Sequence, residues 1–266
     1  MNIIVCVKQV LDPEIPLGRL KVDPKAQQVV APEGIRPIIN PYDERAVELA
    51  LRLKEKQGGK ITILSLGDPS WVAVVKHALS MGADEGVLIV DAAFEGSDSF
   101  GIADVLSKAI HKIGNYDLIL CGRQSADWEE GLVGTIIAEK LSLPLVTLAE
   151  DVEVIEQGLK VKQVTLDGHQ IFTVPLPAVV TVSQEVGRPR LPSGWGIINA
   201  SRKQVPVWDA KAIEIDPSQL GLRAARREMI KLSVPDRTRK CEIIHGESMA
   251  EAGARLAARL REAGIL

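Results

Sequence analysis

Short apolar runs alternate with segments of helical length over residues 1–148, and this alternation constrains the fold more than any other feature of the sequence. The predicted strands are residues 3–7, 60–66, 87–90, 118–121 and 145–148. The predicted helices between them are residues 41–57, 69–81, 97–113 and 131–141. A strand–helix repeat at this spacing predicts right-handed crossovers and an α/β fold, with a mainly parallel doubly wound sheet and helices on both faces.

The helix that follows residue 40 carries the clearest local signals. Asn40 is predicted to be its N-cap, and Pro41 occupies the first helical position. Asp43 and Glu44 lie in the first turn, where negative charge is favourable. The glycine pair that begins at Gly58 ends the helix.

Residues 149–206 form a second region that is predicted to be a β-rich extension. Alternating runs at 159–166 and 169–174 flank Asp167-Gly168, which is a strong hairpin signal, and residues 178–182 form a buried strand. A smaller hairpin is predicted from residues 19–22 and 28–30. The remaining tail favours helix, so we predict an α/β domain over 1–232 and a C-terminal arm over 233–266, whose apolar stripe needs its own domain or a partner subunit to cover it.

Charge and composition exclude several function classes. Lys and Arg number 32 and Asp and Glu 35, a net charge of -3, so we expect no nucleic-acid binding. No apolar run approaches the roughly 20 residues that span a bilayer, so we expect no direct membrane insertion. The start lacks a signal peptide's basic region, and three widely spaced Cys suit a reducing cytoplasm. The His residues are scattered and nucleophile motifs are lacking, so we expect no metal site and no catalytic residues.

The loop between the fourth predicted strand and the next helix is the first candidate site. Its length of about nine residues exceeds the usual 2–6. Gly122 and Gly131 permit close backbone approach, and the amides that open the helix favour an anion such as phosphate. The loop also lies at the carboxyl end of a strand, where parallel sheets bind ligands. The carboxylates of Asp127, Glu129 and Glu130 favour the alternative, a solvated loop, because they repel phosphate.

Residues 187–196 are the second candidate site. The stretch holds two Pro, three Gly, two Arg and the isolated Trp195, and it follows the last core strand. It is therefore predicted to be a surface loop. An exposed Trp beside Arg has the composition of an interaction hot spot. The alternative is that Trp195 packs back onto its own domain.

Several short motifs, each weak alone, become specific through their order and spacing. They are residues 4–8 (Ile-Val-Cys-Val-Lys), 40–43 (Asn-Pro-Tyr-Asp), 78–84 (Ala-Leu-Ser-Met-Gly-Ala-Asp), 122–124 (Gly-Arg-Gln) with Gly134, 176–181 (Leu-Pro-Ala-Val-Val-Thr) and 189–190 (Pro-Arg). Together they resemble the β-subunit family of electron transfer flavoproteins over nearly the whole chain.

The resemblance implies an adenine nucleotide alpha hydrolase-like fold and an obligate heterodimer with an electron transfer flavoprotein α subunit. The α subunit would hold most of an FAD that carries electrons between an acyl-CoA dehydrogenase-type flavoenzyme and a quinone oxidoreductase, as in fatty acid oxidation. This subunit would bind a structural AMP or, in electron-bifurcating relatives, a second FAD that oxidises NADH. The implied nucleotide-binding residues are Cys6, Asn40, Pro41, Tyr42, Asp43, Leu66, Gly122, Arg123, Gln124, Ser125, Ala126, Asp127, Gly131, Leu132, Val133 and Gly134.

By the same resemblance, residues 183–205 form a recognition segment that docks on the redox partner. The implied contact residues are Arg188, Arg190, Gly194, Trp195 and Ile197. Here Gly194-Trp195 replaces an aliphatic anchor of the family. The partner is therefore expected to differ from the usual short- and medium-chain acyl-CoA dehydrogenases.

The sequence departs from the family pattern at residues 127–130 as well. Asp-Trp-Glu-Glu is bulkier and more acidic than the Asp-Gly-Asp-Thr of many relatives. Backbone amides are therefore the expected phosphate donors, and AMP is favoured because a second FAD needs more room. An alternative of another class is a free-standing nucleotide-binding sensor of the same fold, which the β-rich region and the C-terminal arm disfavour. A third is an α/β enzyme that acts alone.

Overall fold

The computed structural model describes residues 1–23, 28–235 and 241–266. Their strands are β1 (Asn2–Val7), β2 (Gln9–Val10), β3 (Lys21–Asp23), β4 (Gln28–Val30), β5 (Ile38–Ile39), β6 (Lys60–Leu66), β7 (Glu85–Ile89), β8 (Leu118–Gly122), β9 (Leu145–Ile155), β10 (Gly158–Thr165), β11 (Gly168–Val174), β12 (Ala178–Val182) and β13 (Val207–Trp208). Their α-helices are α1 (Pro41–Gln57), α2 (Val72–Met81), α3 (Ser99–Ile113), α4 (Val133–Leu141), α5 (Gly194–Arg202) and α6 (Met249–Glu262).

Nine strands form one sheet in the order β11-β10-β9-β12-β8-β1-β6-β7-β13. Within this sheet order, the seven strands β9-β12-β8-β1-β6-β7-β13 are parallel to their neighbours. β10 and β11 add an antiparallel edge. From β1 the chain moves outward to β6 and β7 and then returns to β8 on the other side of β1. This confirms the mainly parallel doubly wound sheet and places its topological switch between β1 and β8, where such sheets bind ligands.

The sheet carries an apolar core on each face. Helices α1 and α2 cover one face, and α3 and α4 cover the other. Successive side chains of a strand point to opposite faces. The apolar run of β1 therefore supplies both cores, with Ile3 and Val5 in the first and Ile4 and Cys6 in the second.

Several strand boundaries differ from the sequence prediction. β9 continues past residue 148 to Ile155, so the β-rich region extends the main sheet. Thr165 pairs with Gly168, which puts the hairpin turn at Leu166 and Asp167, one residue earlier than predicted. Gly168 takes the positive φ, at 145°. The small hairpin forms between β3 and β4, and residues 24–27 of its connection lie outside the described residues.

Three helices begin later than predicted, and one predicted helical region is wrong. α2 starts after a 3-10 turn at Pro69–Trp71, α3 starts at Ser99 rather than at residue 97, and α4 starts at Val133 rather than at Gly131. Residues 207–232 contain no α-helix; instead β13 adds the last strand of the sheet beside β7.

The predicted surface loop over residues 187–196 ends in a helix, α5, and the prediction is wrong there. The Ser193 hydroxyl accepts from the Gly196 amide at 3.0 Å and caps this helix. Gly196 lies so close to α2 that a Cβ atom would stand 2.2 Å from the Ser80 carbonyl oxygen. The glycine therefore serves helix packing rather than flexibility.

Two lysines fix α2 and α5 to each other. The ammonium group of Lys76 on α2 donates to the Ala200 carbonyl at 2.7 Å and also to the carbonyl of Lys203, at the end of α5. The ammonium group of Lys203 donates to the Ala83 and Asp84 carbonyls, at 2.8 and 2.7 Å, just beyond α2. Each lysine thus satisfies carbonyls at the carboxyl end of the other helix.

The chain divides into two compact units, residues 1–232 and 233–266. In the second unit, the Ser248 hydroxyl caps α6 by accepting from the Glu251 amide at 3.2 Å. The helix buries none of its residues, and Met249 is 93% exposed. Among the described residues, no helix has the length and apolar character to cross a membrane.

Candidate functional site

Asp43 joins the two strands that flank the topological switch. It lies in the first turn of α1 and is buried. Its carboxylate accepts from the Lys8 amide at 2.8 Å, just after β1, and from the Gly122 amide at 3.0 Å, at the end of β8. One side chain therefore fixes the start of α1 to both strand ends.

The same burial perturbs two acidic groups. Desolvation raises the pKa of Asp43 to about 7, although the Lys8 amide, the Asn40 side chain and the Gly122 amide each lower it. The pKa of the Cys121 thiol is also raised, by its contact with Cys6, by burial and by the charge of Asp43. Cys6 and Cys121 are both buried, which makes them packing residues beneath the switch rather than reactive thiols.

Gly122 is where α1 comes closest to the sheet. A Cβ atom there would stand 2.4 Å from an Asp43 carboxylate oxygen and 2.7 Å from the Cβ of Tyr42. Gly134 plays the same part for α4, because its Cβ would lie 2.7 Å from Thr181 on β12. Both glycines of the sequence motif are therefore required by packing of a helix end on strands.

Asn40 holds the loop that follows β8. It is 1% exposed and lies at the N-cap position of α1, but its side chain makes no capping bond. Instead, its Nδ2 donates to the Gln124 carbonyl at 2.8 Å and its Oδ1 accepts from the Ala126 amide at 3.1 Å. The predicted capping role is wrong, because the side-chain amide is used to fix the backbone of this loop.

Two of the three loop carboxylates have positive partners. Asp127 pairs with the Lys8 ammonium group at 2.7 Å. Glu130 pairs with Arg227 at 2.6 Å and accepts a hydrogen bond from Ser99. The repulsion of a phosphate by this loop is therefore weaker than the sequence suggested.

Trp128 does not crowd the loop. Its side chain points outward enough to leave the residue 52% exposed. Glu129 beside it takes a positive φ of 54°, and its amide donates to the Ser125 carbonyl at 2.9 Å, which closes the turn. The expected crowding at residues 127–130 is absent from this arrangement.

The start of α4 is open to an anion. Leu132 is the N-cap residue and has no side-chain acceptor, so no side chain caps the first turn. Gly131, with a positive φ of 66°, brings the chain into this turn. The Arg123 guanidinium lies 5.6 Å over the Tyr42 ring, and its buried Nε has no hydrogen-bond partner in the described part of the chain. Uncapped helix amides and an unpartnered guanidinium nitrogen are both groups that bind phosphate.

The structure brings most of the predicted nucleotide-binding residues to this one place. The residues at the strand ends, α1 and the loop are Cys6, Asn40, Pro41, Tyr42, Asp43, Gly122, Arg123, Gln124, Ser125, Ala126, Asp127, Gly131, Leu132, Val133 and Gly134. Leu66 ends β6, which is the next strand after β1, and packs on the same core as Cys6. Three contributors were not predicted to act here: Lys8, Ser99 and Arg227. Of these only Lys8 had a sequence signal, since it directly follows β1.

The recognition segment lies on α5 and the stretch before it. Trp195 is 71% exposed, so the alternative in which it packs back on its own domain is wrong. Leu191 and Ile197 are exposed as well, and Gly194 opens α5. Arg188 is exposed, whereas Arg190 pairs with Glu48 and Glu55 of α1. The predicted contact residues are thus divided between unpaired exposed residues and one arginine that is held to α1 by ion pairs.

Comparison of the sequence with known proteins finds relatives that cover its whole length. The profile described as "Electron transfer flavoprotein domain" matches residues 27–213. An "Electron transfer flavoprotein subunit beta" from Thermoanaerobacterium thermosaccharolyticum is 39% identical over 100% of both chains. A "Caffeyl-CoA reductase-Etf complex subunit CarD" from Acetobacterium woodii is 33% identical over 100% of both. An "Acryloyl-CoA reductase electron transfer subunit gamma" from Anaerotignum propionicum is 36% identical over 88% of this chain and 89% of its own.

Proposed function

The chain belongs to the electron transfer flavoprotein family, and we propose that it is the β subunit of a heterodimeric electron carrier that binds an adenine nucleotide at its β1/β8 switch. One observation supports nucleotide binding: Asn40 and Asp43 fix the backbone of the loop after β8, beside the uncapped start of α4. The FAD held mainly by the α subunit supplies the redox chemistry. This chain supplies binding and electrostatics.

The residues divide the work of nucleotide binding by their chemistry. The amides of the first turn of α4 would hold the phosphate, together with the guanidinium of Arg123. Lys8 neutralises Asp127 and so weakens the repulsion between the loop and the phosphate. The half-buried side chains of Leu66 and Leu132 offer apolar contact for a base. These groups offer a site for one phosphate and apolar contact for one base, which is what AMP requires.

The heterodimer and its nucleotides are tested together. The chain is purified alone and after co-expression with an electron transfer flavoprotein α subunit, and released nucleotides are separated by HPLC after denaturation. We expect a stable yellow complex with one FAD and one AMP, because the apolar stripe of α6 needs a partner. The isolated chain should be colourless, because the α subunit holds most of the FAD. A flavin-loaded, monodisperse monomer, or a complex with one FAD and no second nucleotide, contradicts the proposal.

A second FAD in place of AMP is the second candidate, and a specific observation favours it. Trp128 points outward, and Asp127 and Glu130 are paired, so the loop is neither as crowded nor as negative as its sequence suggests. Two relatives also carry names of acyl-CoA reductase complexes. Two FAD and no AMP per heterodimer, with flavin reduction by NADH, would establish this candidate.

The redox partner is proposed to be an acyl-CoA dehydrogenase-type flavoenzyme, with a quinone oxidoreductase as the downstream acceptor and the cytoplasm as the compartment. The names of the reductase relatives support the first of these. Docking would use the exposed recognition segment, with Trp195 as anchor beside Arg188 and Ile197. Truncation of such an anchor costs about 2 kcal/mol or more of binding, roughly 30-fold in affinity.

Docking is tested with Trp195→Ala. We expect about a 30-fold higher KM for a reduced acyl-CoA dehydrogenase, with flavin content, nucleotide content and melting temperature near wild type. Trp128→Ala removes the other exposed tryptophan and serves as the control. An unchanged KM would mean that the segment docks without Trp195, and a melting temperature lower by several degrees would contradict its exposed position.

A further inference from the structure

Glu48 is a buried carboxylate that faces the recognition segment from α1. Its side chain is 6% exposed, and it accepts from the backbone amide of Arg190 at 3.0 Å and from the Nε of the same residue at 2.8 Å. The Nε of Arg52, one turn along α1, also donates to it at 2.8 Å. Burial alone raises the pKa of Glu48, but these hydrogen bonds outweigh burial and hold it below its ordinary value.

The same group of side chains holds both ends of a short stretch. Arg52 donates from Nη1 to the Val186 carbonyl at 3.0 Å, at the beginning of the stretch. Arg190 ends it and also reaches Glu55 on the next turn of α1, at 3.2 Å from Nη2. Residues 186–190 are therefore fixed to α1 at two points, both by charge-assisted hydrogen bonds.

Arg188 offers a contrast within the same stretch. It is exposed and forms no hydrogen bond or ion pair with any residue that the structure describes. Arg190, two positions later, pairs with the buried Glu48 and the exposed Glu55 of α1, and its own side chain is 34% exposed. Two arginines of one motif thus have different surroundings, since only Arg190 is held to α1.

We propose that Arg190 is a positioning residue, which holds the recognition segment in its docking geometry through Glu48 and does not itself contact the redox partner. The inference rests on the docking proposed above. Leu191 follows Arg190 directly, and Ser193 then caps α5, so the place of Arg190 sets where Leu191 and Trp195 are presented. A segment fixed before docking loses less conformational entropy when it binds.

The variant Arg190→Lys tests this because it keeps the charge but loses the fork that bonds Glu48 and Glu55 together. Arg188→Lys is the matched control, because it makes the same change at the exposed arginine that has no partner among the described residues. Both are made in the αβ complex. Amide hydrogen exchange at residue 190 reports the bond to Glu48 directly. Flavin reduction is measured at rising concentrations of the acyl-CoA dehydrogenase-type flavoenzyme that reduces the wild-type complex fastest, itself reduced by its acyl-CoA substrate, and gives KM and kcat.

We expect Arg190→Lys to speed exchange at residue 190 at least tenfold and to raise KM about tenfold at unchanged kcat. Glu48→Gln should act in the same direction, and the double variant should add little to either single change. Arg188→Lys should leave exchange at residue 190 at the wild-type rate.

Two results would overturn the proposal. Wild-type exchange with a raised KM in Arg190→Lys would mean that Arg190 contacts the partner directly. Faster exchange with an unchanged KM would mean that docking does not depend on the contact between Arg190 and Glu48. If the wild-type complex itself shows no saturable reduction, the docking function fails, and the exchange result still decides whether Arg190 fixes the segment.

Discussion

A methyl group at Gly122 is the most direct test of how the switch point is built. In Gly122→Ala the new Cβ would stand 2.4 Å from the Asp43 carboxylate, 2.7 Å from the Cβ of Tyr42 and 2.8 Å from its carbonyl carbon. Contacts below 3.0 Å are essentially never seen for real Cβ atoms. The Tyr42 atoms belong to or adjoin the backbone of α1 and cannot rotate away. The start of α1 must therefore move from β8.

The cost follows from what that movement breaks. Asp43 would lose good geometry to the Gly122 and Lys8 amides, and hydrogen bonds to charged groups contribute about 1.5–3 kcal/mol each. Overpacking adds about 1–3 kcal/mol. Because the helix can relax in part, we expect a loss of about 3–5 kcal/mol in the free energy of unfolding, together with weaker nucleotide binding.

Urea unfolding of the complex, with nucleotide content measured by HPLC, provides the assay. Gly194→Ala is the matched control, because its Cβ would have no atom within 4 Å, its φ is not positive and it opens the helix α5. We expect no loss of stability in the control. A loss below about 1 kcal/mol in Gly122→Ala, with wild-type nucleotide content, would refute the close contact and the role of Asp43.

Three further predictions concern the same site. Burial raises the pKa of Asp43 from 3.8 to about 7, so the folded state binds this proton more tightly than the unfolded state. The contribution of Asp43 to stability is therefore greatest below about pH 4 and falls as the pH rises to 7, by up to about 4 kcal/mol, and urea unfolding of Asp43→Asn should lack this part of the pH dependence. Asn40→Ala removes both side-chain bonds to the loop and should raise the nucleotide dissociation constant at least tenfold by calorimetry, whereas wild-type affinity would show that the loop holds itself. Lys8→Met breaks a half-exposed pair with Asp127, so unfolding should change by less than about 1 kcal/mol while nucleotide affinity falls; equal affinity would show that the loop charge is irrelevant.

The sheet and its helices could be predicted because each is encoded locally. The apolar run of β1 and the start of α1 at Pro41 are signals within a few residues. The end of the recognition segment also had such a signal. Ser193 is an N-cap residue just after a proline, but the glycines at 194 and 196 favoured a loop.

The site itself was only partly predictable, because its contacts join residues far apart in sequence. Asn40 lies 84 residues from Gln124, and its side chain bonds to that carbonyl instead of capping the helix that it precedes. The charge of the loop could not be judged from Glu130 alone, since Arg227 is nearly a hundred positions away. Composition gives the charges of a loop but not the partners that neutralise them.

The way the nucleotide loop is held leaves its side chains free to diverge. Asn40 and Asp43 bond to the carbonyl of Gln124 and to the amides of Ala126, Lys8 and Gly122, which are main-chain groups. Main-chain groups are the same for nearly every amino acid. Substitutions at residues 127–130 should therefore leave this support in place. The scaffold separates foldability from ligand choice, so the nucleotide that we propose for this loop could change by single replacements.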